Sequence, residues 1–375
     1  MQDFFITKIN VGKVRHLQNF DIELSDKERK HLVLTGKNGS GKTSLLEAMR
    51  DSILLQQNMG AEDFDNIQKL HLGRIGRIDE PGIEISYSQS NINLFEMIFA
   101  YISAGRSQLA VPKSIEPVDI EGKTVVTRNA SKEFLKYILS LDYRLYGAKS
   151  DNNKRIEAIL EEWFDNFQKA LRDIYDCTEL KMQRDAKNLT FKIVVPGHEP
   201  FGLNEMSDGY AAFIDIYMEL LMRLECVDAI VEYEKPAIFM IDEIETHLHV
   251  ELQKRILPFL TKMFPNVQFI VATHSPFVIT SLENAVVYDL EKKEQLENPS
   301  FYSYQAIVES FFDTDMYSEE LKNYFKRYKE LCFKERTPEE NKEFLKTRTE
   351  LEIMSRPSTE LYIAFQDLER KRKAV

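Results

Sequence analysis

The segment Gly36-Lys37-Asn38-Gly39-Ser40-Gly41-Lys42-Thr43 constrains this chain more than any other. It fits G-x-x-x-x-G-K-[ST] and follows a short apolar run, His31-Leu-Val-Leu-Thr35. After it, Ser44-Leu-Leu-Glu-Ala-Met-Arg-Asp-Ser-Ile-Leu-Leu has the apolar spacing and the residue types of a helix. A buried strand, a glycine-rich loop and a helix in that order make a phosphate cradle. Glycines let the backbone curl so that successive N–H groups point at phosphate oxygens, and the helix N-terminus adds partial positive charge. In such a loop Lys42 reaches the β- and γ-phosphates and the Thr43 hydroxyl ligates Mg²⁺, with Ser44 beside it. The expected cofactors are ATP and Mg²⁺.

Two further elements carry matching chemistry. Ile238-Phe-Met-Ile241 leads into Asp242-Glu243, an apolar strand ending in two carboxylates. There the first holds Mg²⁺ and the second polarises an attacking water. About 30 residues later a second apolar strand ends in Thr273-His274-Ser275-Pro276, which places His274 at the C-terminal end of a neighbouring strand, within reach of a γ-phosphate. Glu243, His274 and Lys42 are therefore the expected catalytic groups, and Thr43 and Asp242 the metal ligands. His247 and His249, with Glu243 and Glu245, also raise a transition-metal site. They follow the strand rather than lie on it, so nothing in the spacing makes them converge.

The rest of the chain reads as α/β. Phe4–Ile9 and Phe20–Leu24 alternate apolar and polar residues as half-buried strands. Gly82–Tyr87, Phe99–Ile102, Thr190–Val195, Pro236–Ile241 and Gln268–Ala272 are further strands. Helices are expected over Glu133–Tyr175, with a break at Gly147–Lys154, over Asp208–Leu224 and over Val250–Phe264. Residues 301–375 hold 14 basic and 15 acidic side chains and no glycine, the pattern of a helical appendage with a solvated face. The expected domains are 1–300, with a largely helical insert at about 107–190, and 301–375. The chain has 49 Lys and Arg against 61 Asp and Glu, a net charge of −12, which argues against a general nucleic-acid coat. Cys177, Cys226 and Cys332 show no CxxC spacing, and the N-terminus lacks the basic and apolar regions of a secretion leader. No apolar run is long enough to span a bilayer, so the expectation is a reducing, cytoplasmic setting without a membrane.

Together these motifs resemble ABC-type ATPases of the SMC-like group, and within it the OLD-like AAA family. Its ATPase subunits occur in bacterial phage-defence systems such as Septu, PARIS and certain retrons. The resemblance rests on Gly36–Thr43, Asn204-Glu-Met-Ser-Asp-Gly-Tyr210, Phe239–His249 and Val271–Pro276. It implies a P-loop NTPase head with a mixed sheet, a helical insert and a C-terminal helical extension. It further implies that Met206–Gly209 is a signature motif, with Ser207 and Gly209 meeting the γ-phosphate held by a second copy. The sequence departs from the family's Ser-Gly-Gly-Gln at Asp208 and Tyr210. The segment after Glu243 is implied to be a D-loop along a dimer interface. Arg15 sits where the family has an arginine near base and ribose, with a solvated strand residue as the plain reading. Arg106 falls in the region of the family's Q-loop, whose glutamine is not identified.

The resulting expectation is an ATPase that dimerises around ATP and controls a separate effector, a nuclease or toxin, in phage defence. The alternative is an ATP-dependent DNA clamp of the repair type. For it the basic stretches Arg144–Lys154 and Glu369–Lys373 meet nucleic acid, although such runs are more often solvated surface. A transporter subunit is disfavoured by the long insert. A sensor scaffold held together by ATP with negligible turnover is compatible with the leading reading. No acidic nuclease cluster is visible after residue 300, so an associated nuclease would be a separate protein.

Overall fold

Five runs rich in apolar residues build the central sheet, and the alternation of their side chains separates two cores. In the computed structural model the described residues are 4–58, 82–89, 97–104, 130–185, 190–203, 205–226, 230–231, 235–312, 319–355 and 359–374. They divide into two compact units, Met1–Phe312 and Asp313–Val375.

In the first unit the elements are β1 (Ile6–Val14), β2 (Leu17–Glu23), β3 (His31–Thr35), α1 (Lys42–Asn58), β4 (Glu84–Tyr87) and β5 (Ile98–Ile102). Next come α2 (Ala130–Ser150), α3 (Lys154–Tyr175), β6 (Lys181–Asp185), β7 (Thr190–Val194), β8 (Phe201–Gly202) and α4 (Asp208–Leu224). Then follow β9 (Glu225–Cys226), β10 (Ile230–Val231), β11 (Ala237–Ile241), α5 (Val250–Met263), β12 (Val267–Ala272), α6 (Pro276–Ile279), β13 (Ala285–Asp289), β14 (Glu294–Glu297) and α7 (Tyr304–Phe312).

The main sheet has the order β14-β13-β3-β12-β11-β5. Its strands are parallel except β14, which pairs antiparallel with β13, so the sheet is mixed. Strands buried on both faces need no polar alternation, which is why β11 and β5 read as continuous apolar runs and β12 as one broken only by Gln268. In β3, β11, β12 and β13 the odd-numbered side chains (Val33, Phe239, Ile241, Phe269, Val271, Val287), and in β5 the even-numbered ones, pack into a core shared with α2 to α5. The opposite face (Leu32, Leu34, Phe99, Ile238, Met240, Ile270, Val286) packs against α1 and the antiparallel sheet β2-β1-β4. Fully buried Gln268 clasps that second sheet to the first. Its Oε1 accepts from the Ile6 amide at 2.7 Å, and its Nε2 donates to Ile6 O at 3.0 Å and Lys30 O at 2.8 Å.

Several local expectations are corrected. The helical break lies at Asp151–Asn153, and α2 runs through Gly147. Asn153 starts α3 by accepting the Ile156 amide, and Asp176 ends it in a left-handed conformation. The insert also carries an antiparallel sheet, β6-β7-β8. Strands β13 and β14 lie in a stretch where the sequence pattern suggested none. Arg106 and most of the polar connection over Pro112–Lys132 lie outside the described residues.

The second unit contains α8 (Glu319–Cys332), α9 (Pro338–Ser355) and α10 (Thr359–Ala374). Tyr328, Leu331, Phe344, Leu351 and Phe365 form its core. Buried Glu369 accepts from the Tyr328 hydroxyl, from Arg348 at 3.1 Å and from Arg372 at 3.0 Å. Among the described residues no helix is long and apolar enough to cross a membrane.

One pH effect follows from the start of β3. His31 Nδ1 accepts the Phe269 amide at 3.1 Å, a bond only the neutral ring makes. Burial first, and then the Arg29 charge, push its pKa down to about 4. The unfolded chain takes up a proton near the ordinary histidine value of about 6.5. Between these values the unfolded state binds more protons, so stability falls as pH drops through that window. Denaturant titrations at pH 7 and pH 5, followed by the single tryptophan, Trp163, are expected to show this loss. His31→Asn, which has an acceptor and no titrating ring, is expected to flatten the slope.

Candidate functional site

Between β3 and α1 the chain turns through Gly36, Gly39 and Gly41 at φ of +128°, +82° and +101°, the left-handed region that favours glycine. A Cβ on Gly36 would lie 2.9 Å from Ser40 Oγ. One on Gly41 would lie 3.0 Å from Leu17 Cδ1 and 3.1 Å from the His16 ring. At Gly39 nothing lies within 4 Å, so the crest of the loop is open. Gly41→Ala therefore meets both a strained φ and two neighbours. A loss of about 1–3 kcal/mol is expected, read as a lowered melting temperature.

The Lys42 side chain folds under this crest, donating to Gly36 O at 2.8 Å and Lys37 O at 3.2 Å. Burial lowers its pKa, and the charges of Glu245, Asp242, Glu243 and Asp289 oppose that shift. Lys37 is exposed and paired with Glu291 at 2.9 Å, and Asn38 is exposed.

Strand β11 delivers the carboxylates. The Thr43 hydroxyl donates to Asp242 Oδ2 at 2.8 Å, joining the two expected metal ligands across 199 positions of sequence. Asp242 is buried, which raises its pKa, while the Thr43 bond opposes the rise. A hydroxyl and a carboxylate converging beside a lysine form a hard oxygen donor set that fits Mg²⁺ with a phosphate. Glu243 follows at φ +45°, a conformation a non-glycine residue rarely adopts, and accepts from the Thr246 hydroxyl at 3.3 Å. His274 follows β12, half-buried. Burial lowers its pKa and the Lys42 charge lowers it further, while Glu245, Glu243 and Asp242 oppose the shift. Lys42, Thr43, Asp242, Glu243 and His274 thus come together on the same edge of the sheet.

Arg15 occupies the β1–β2 turn at φ +54°. It donates to Ser44 Oγ at 2.9 Å and to Glu47 Oε2 at 3.1 Å, so it lies on the first turns of α1. Ser207 is exposed just before α4, and its carbonyl accepts the Ala211 amide at 2.9 Å. Gly209 is buried against the loop after Glu243: its Cβ would lie 3.0 Å from His249 Cδ2 and 3.4 Å from His247 O. No described hydrogen bond joins Ser207 or Gly209 to the 36–44 loop. Asn204 lies outside the described residues. His247 and His249 are exposed, and among the described residues no cluster of His, Cys, Asp or Glu is arranged to hold a metal ion.

Two neighbours of the site escaped the sequence reading, and a third, Glu245, entered it only as a candidate metal ligand. The His16 ring lies against Gly41. Fully buried Asp289 sits beside Gly36, with Oδ1 accepting the Glu291 and Lys292 amides at 2.7 and 3.1 Å. Its signal was present, since Ala285–Tyr288 is an apolar run ending in an acid, as Ile238–Asp242 is. Glu245 accepts from the Thr273 hydroxyl at 2.7 Å and the His274 amide at 2.6 Å.

Residues 127–280 match a family described as "AAA domain, putative AbiEii toxin, Type IV TA system". That span contains Ser207, Asp242, Glu243 and His274 but not the 36–43 loop. Over 371 residues the chain is 24% identical to the Septu protein PtuA of Bacillus mycoides (strain KBAB4), covering 91% of this chain and 49% of PtuA. Over 247 residues it is 25% identical to the "Retron Vc95 probable ATPase" of Vibrio cholerae serotype O1 biovar El Tor, covering 57% of this chain and 46% of that protein. The chain is similar to Septu PtuA and to retron ATPases. It spans about half the length of these curated relatives. Among solved structures, an SMC head bound to the C-terminal winged-helix domain of ScpA is 15% identical, with a TM-score of 0.45 over 80% of this chain and 100% of that one. The resemblance carried by the motifs and the relatives found by comparison agree, and the retron relative's name agrees with the expected ATPase chemistry.

Proposed function

We propose that this chain is the ATP-binding and ATP-hydrolysing subunit of a bacterial anti-phage defence complex in the cytoplasm. Two copies close around ATP and Mg²⁺ and control a separate effector such as a nuclease. The observation that carries the reading is the 2.8 Å bond between Thr43 and Asp242 at the foot of the glycine cradle, beside Lys42.

In this reading the amides of residues 39–43 and the Lys42 ammonium bind the phosphates. Thr43 and Asp242 hold Mg²⁺, which when bound neutralises phosphate charge. Lys42 moves its donors from the Gly36 and Lys37 carbonyls to the β- and γ-oxygens. Glu243 orients a water and accepts its proton as the water attacks the γ-phosphorus in line. The bond to the β–γ bridging oxygen breaks and ADP leaves with that electron pair. His274 donates to the γ-phosphate. Arg15, held on α1 by Ser44 and Glu47, flanks the nucleotide. Ser207 and Gly209 of a second copy complete the site, with the N-terminus of α4 directed at the γ-phosphate. Cleavage removes the group that both copies grip, so the dimer opens and the effector is released or activated.

Light scattering with and without ATP–Mg²⁺ tests the clamp. A doubled mass with ATP, persistent in Glu243→Gln, is the expected result. A mass that ignores nucleotide in both proteins would rule the clamp out.

A further inference from the structure

The proposed chemistry leaves Glu245 without a role, yet this carboxylate joins the two loops that carry Glu243 and His274. Its Oε2 accepts the Thr273 hydroxyl at 2.7 Å, and its Oε1 accepts the His274 amide at 2.6 Å. Thr273 Oγ1 in turn accepts the Ser275 amide at 3.0 Å. Because a carboxylate only accepts, it fixes the Thr273 hydroxyl as a donor and leaves that oxygen's lone pair for Ser275. Both bonds are charge-assisted, and Thr273 is fully buried, so the clamp is held in low dielectric. Two neighbouring links tie the same loops. The Ile244 amide donates to Ala272 O at 3.2 Å, and the Ser275 hydroxyl donates to Gln253 Oε1 at 2.6 Å. Gln253 is itself anchored on Leu248 O at 2.7 Å.

Of these links, only Glu245 reaches the backbone of His274. We propose that Glu245 is a positioning residue of this site. By clamping Thr273 and the His274 amide it fixes where the imidazole stands relative to the phosphate loop and couples that position to the loop following Glu243. The proposal rests on the ATP-hydrolase reading for its consequence, though not for the clamp itself. The length of the side chain matters. Alanine removes both acceptors. Glutamine keeps an acceptor for the His274 amide, the bond that holds the imidazole's backbone, while removing the charge; its NH₂ meets the second lone pair of Thr273 Oγ1, whose hydrogen then turns away.

The test uses the full chain and measures kcat and KM for ATP together with backbone hydrogen exchange over residues 273–275. Glu245→Ala is expected to lower kcat on the order of tenfold or more with KM within about twofold, since misplacing a catalytic group acts mainly on the chemical step. Exchange over 273–275 should accelerate in the same variant, and Glu245→Gln should restore most of both. Unchanged kcat and exchange in Glu245→Ala would overturn the proposal. So would a glutamine variant as slow as the alanine one, which would assign the effect to charge. A wild-type chain that turns over no ATP would remove the hydrolase reading. The exchange data would then decide alone: acceleration in the alanine but not the glutamine variant upholds the clamp, and equal rates overturn it.

Discussion

Glu243→Gln is expected to cut ATP turnover on the order of 10²–10⁴-fold while nucleotide still binds. The side chain stands one residue beyond Asp242, at the end of a strand whose five residues are all buried. It projects from a left-handed φ of +45°. Such strain persists only where the surroundings impose it, here through bonds donated by the Thr246 amide to the Glu243 carbonyl at 3.0 Å and by the Ile244 amide to Ala272 O at 3.2 Å. Glutamine matches the size and still accepts from the Thr246 hydroxyl, so the loop survives. What disappears is a group able to take the proton of the attacking water. Single-turnover phosphate release alongside fluorescent-nucleotide binding checks this. Turnover within tenfold of wild type would show that some other group serves as base.

Lys42→Ala is expected to act on the preceding step. The ammonium donates into the loop interior, to the Gly36 and Lys37 carbonyls, and in the proposed complex it serves two phosphates. Charge-assisted bonds are worth about 1.5–3 kcal/mol each. Losing two should weaken nucleotide binding by at least ~100-fold at about 1.4 kcal/mol per decade. Stability should barely follow. The buried ammonium bears a desolvation cost in the free protein, visible as its lowered pKa, and alanine removes that cost along with the bonds to the Gly36 and Lys37 carbonyls. Isothermal titration with ATP and a thermal melt on the same sample separate the two effects. Intact affinity would exclude Lys42 from phosphate binding, and a collapsed melt would make it a structural residue.

Much of this was legible before any coordinates. The strand–loop–helix around Gly36–Thr43, the acidic end of β11 and the histidine after β12 are local patterns, and each carries its chemistry in contiguous residues. Helices α3, α4 and α5 were legible for the same reason, because an apolar stripe at helical spacing is a property of neighbours in sequence. The end of α2 was misplaced because Gly147 looked like a breaker. Inside a helix glycine costs only about 1 kcal/mol, which packing of Tyr137, Leu141 and Ala148 offsets. Strand β13 carries the same signal as β11, an apolar run ending in an acid, whereas its partner β14 is four residues long and mostly polar and carries none.

The sequence by itself determined the expected phosphate loop, the alternation of strands and helices, and the groups proposed for catalysis. Only the tertiary structure decided which of those groups meet. Thr43 reaches Asp242 because β3, β12 and β11 are consecutive parallel strands of one sheet, so their C-terminal ends lie along one edge. Arg15 and His16 reach α1 and Gly41 because buried Gln268 fastens β1 to that sheet. Glu245 acquires a role because its loop folds back onto Thr273 and His274. These contacts join residues tens to hundreds of positions apart. Their energy comes from burial and from satisfying polar groups away from water, terms that do not exist until the chain has closed.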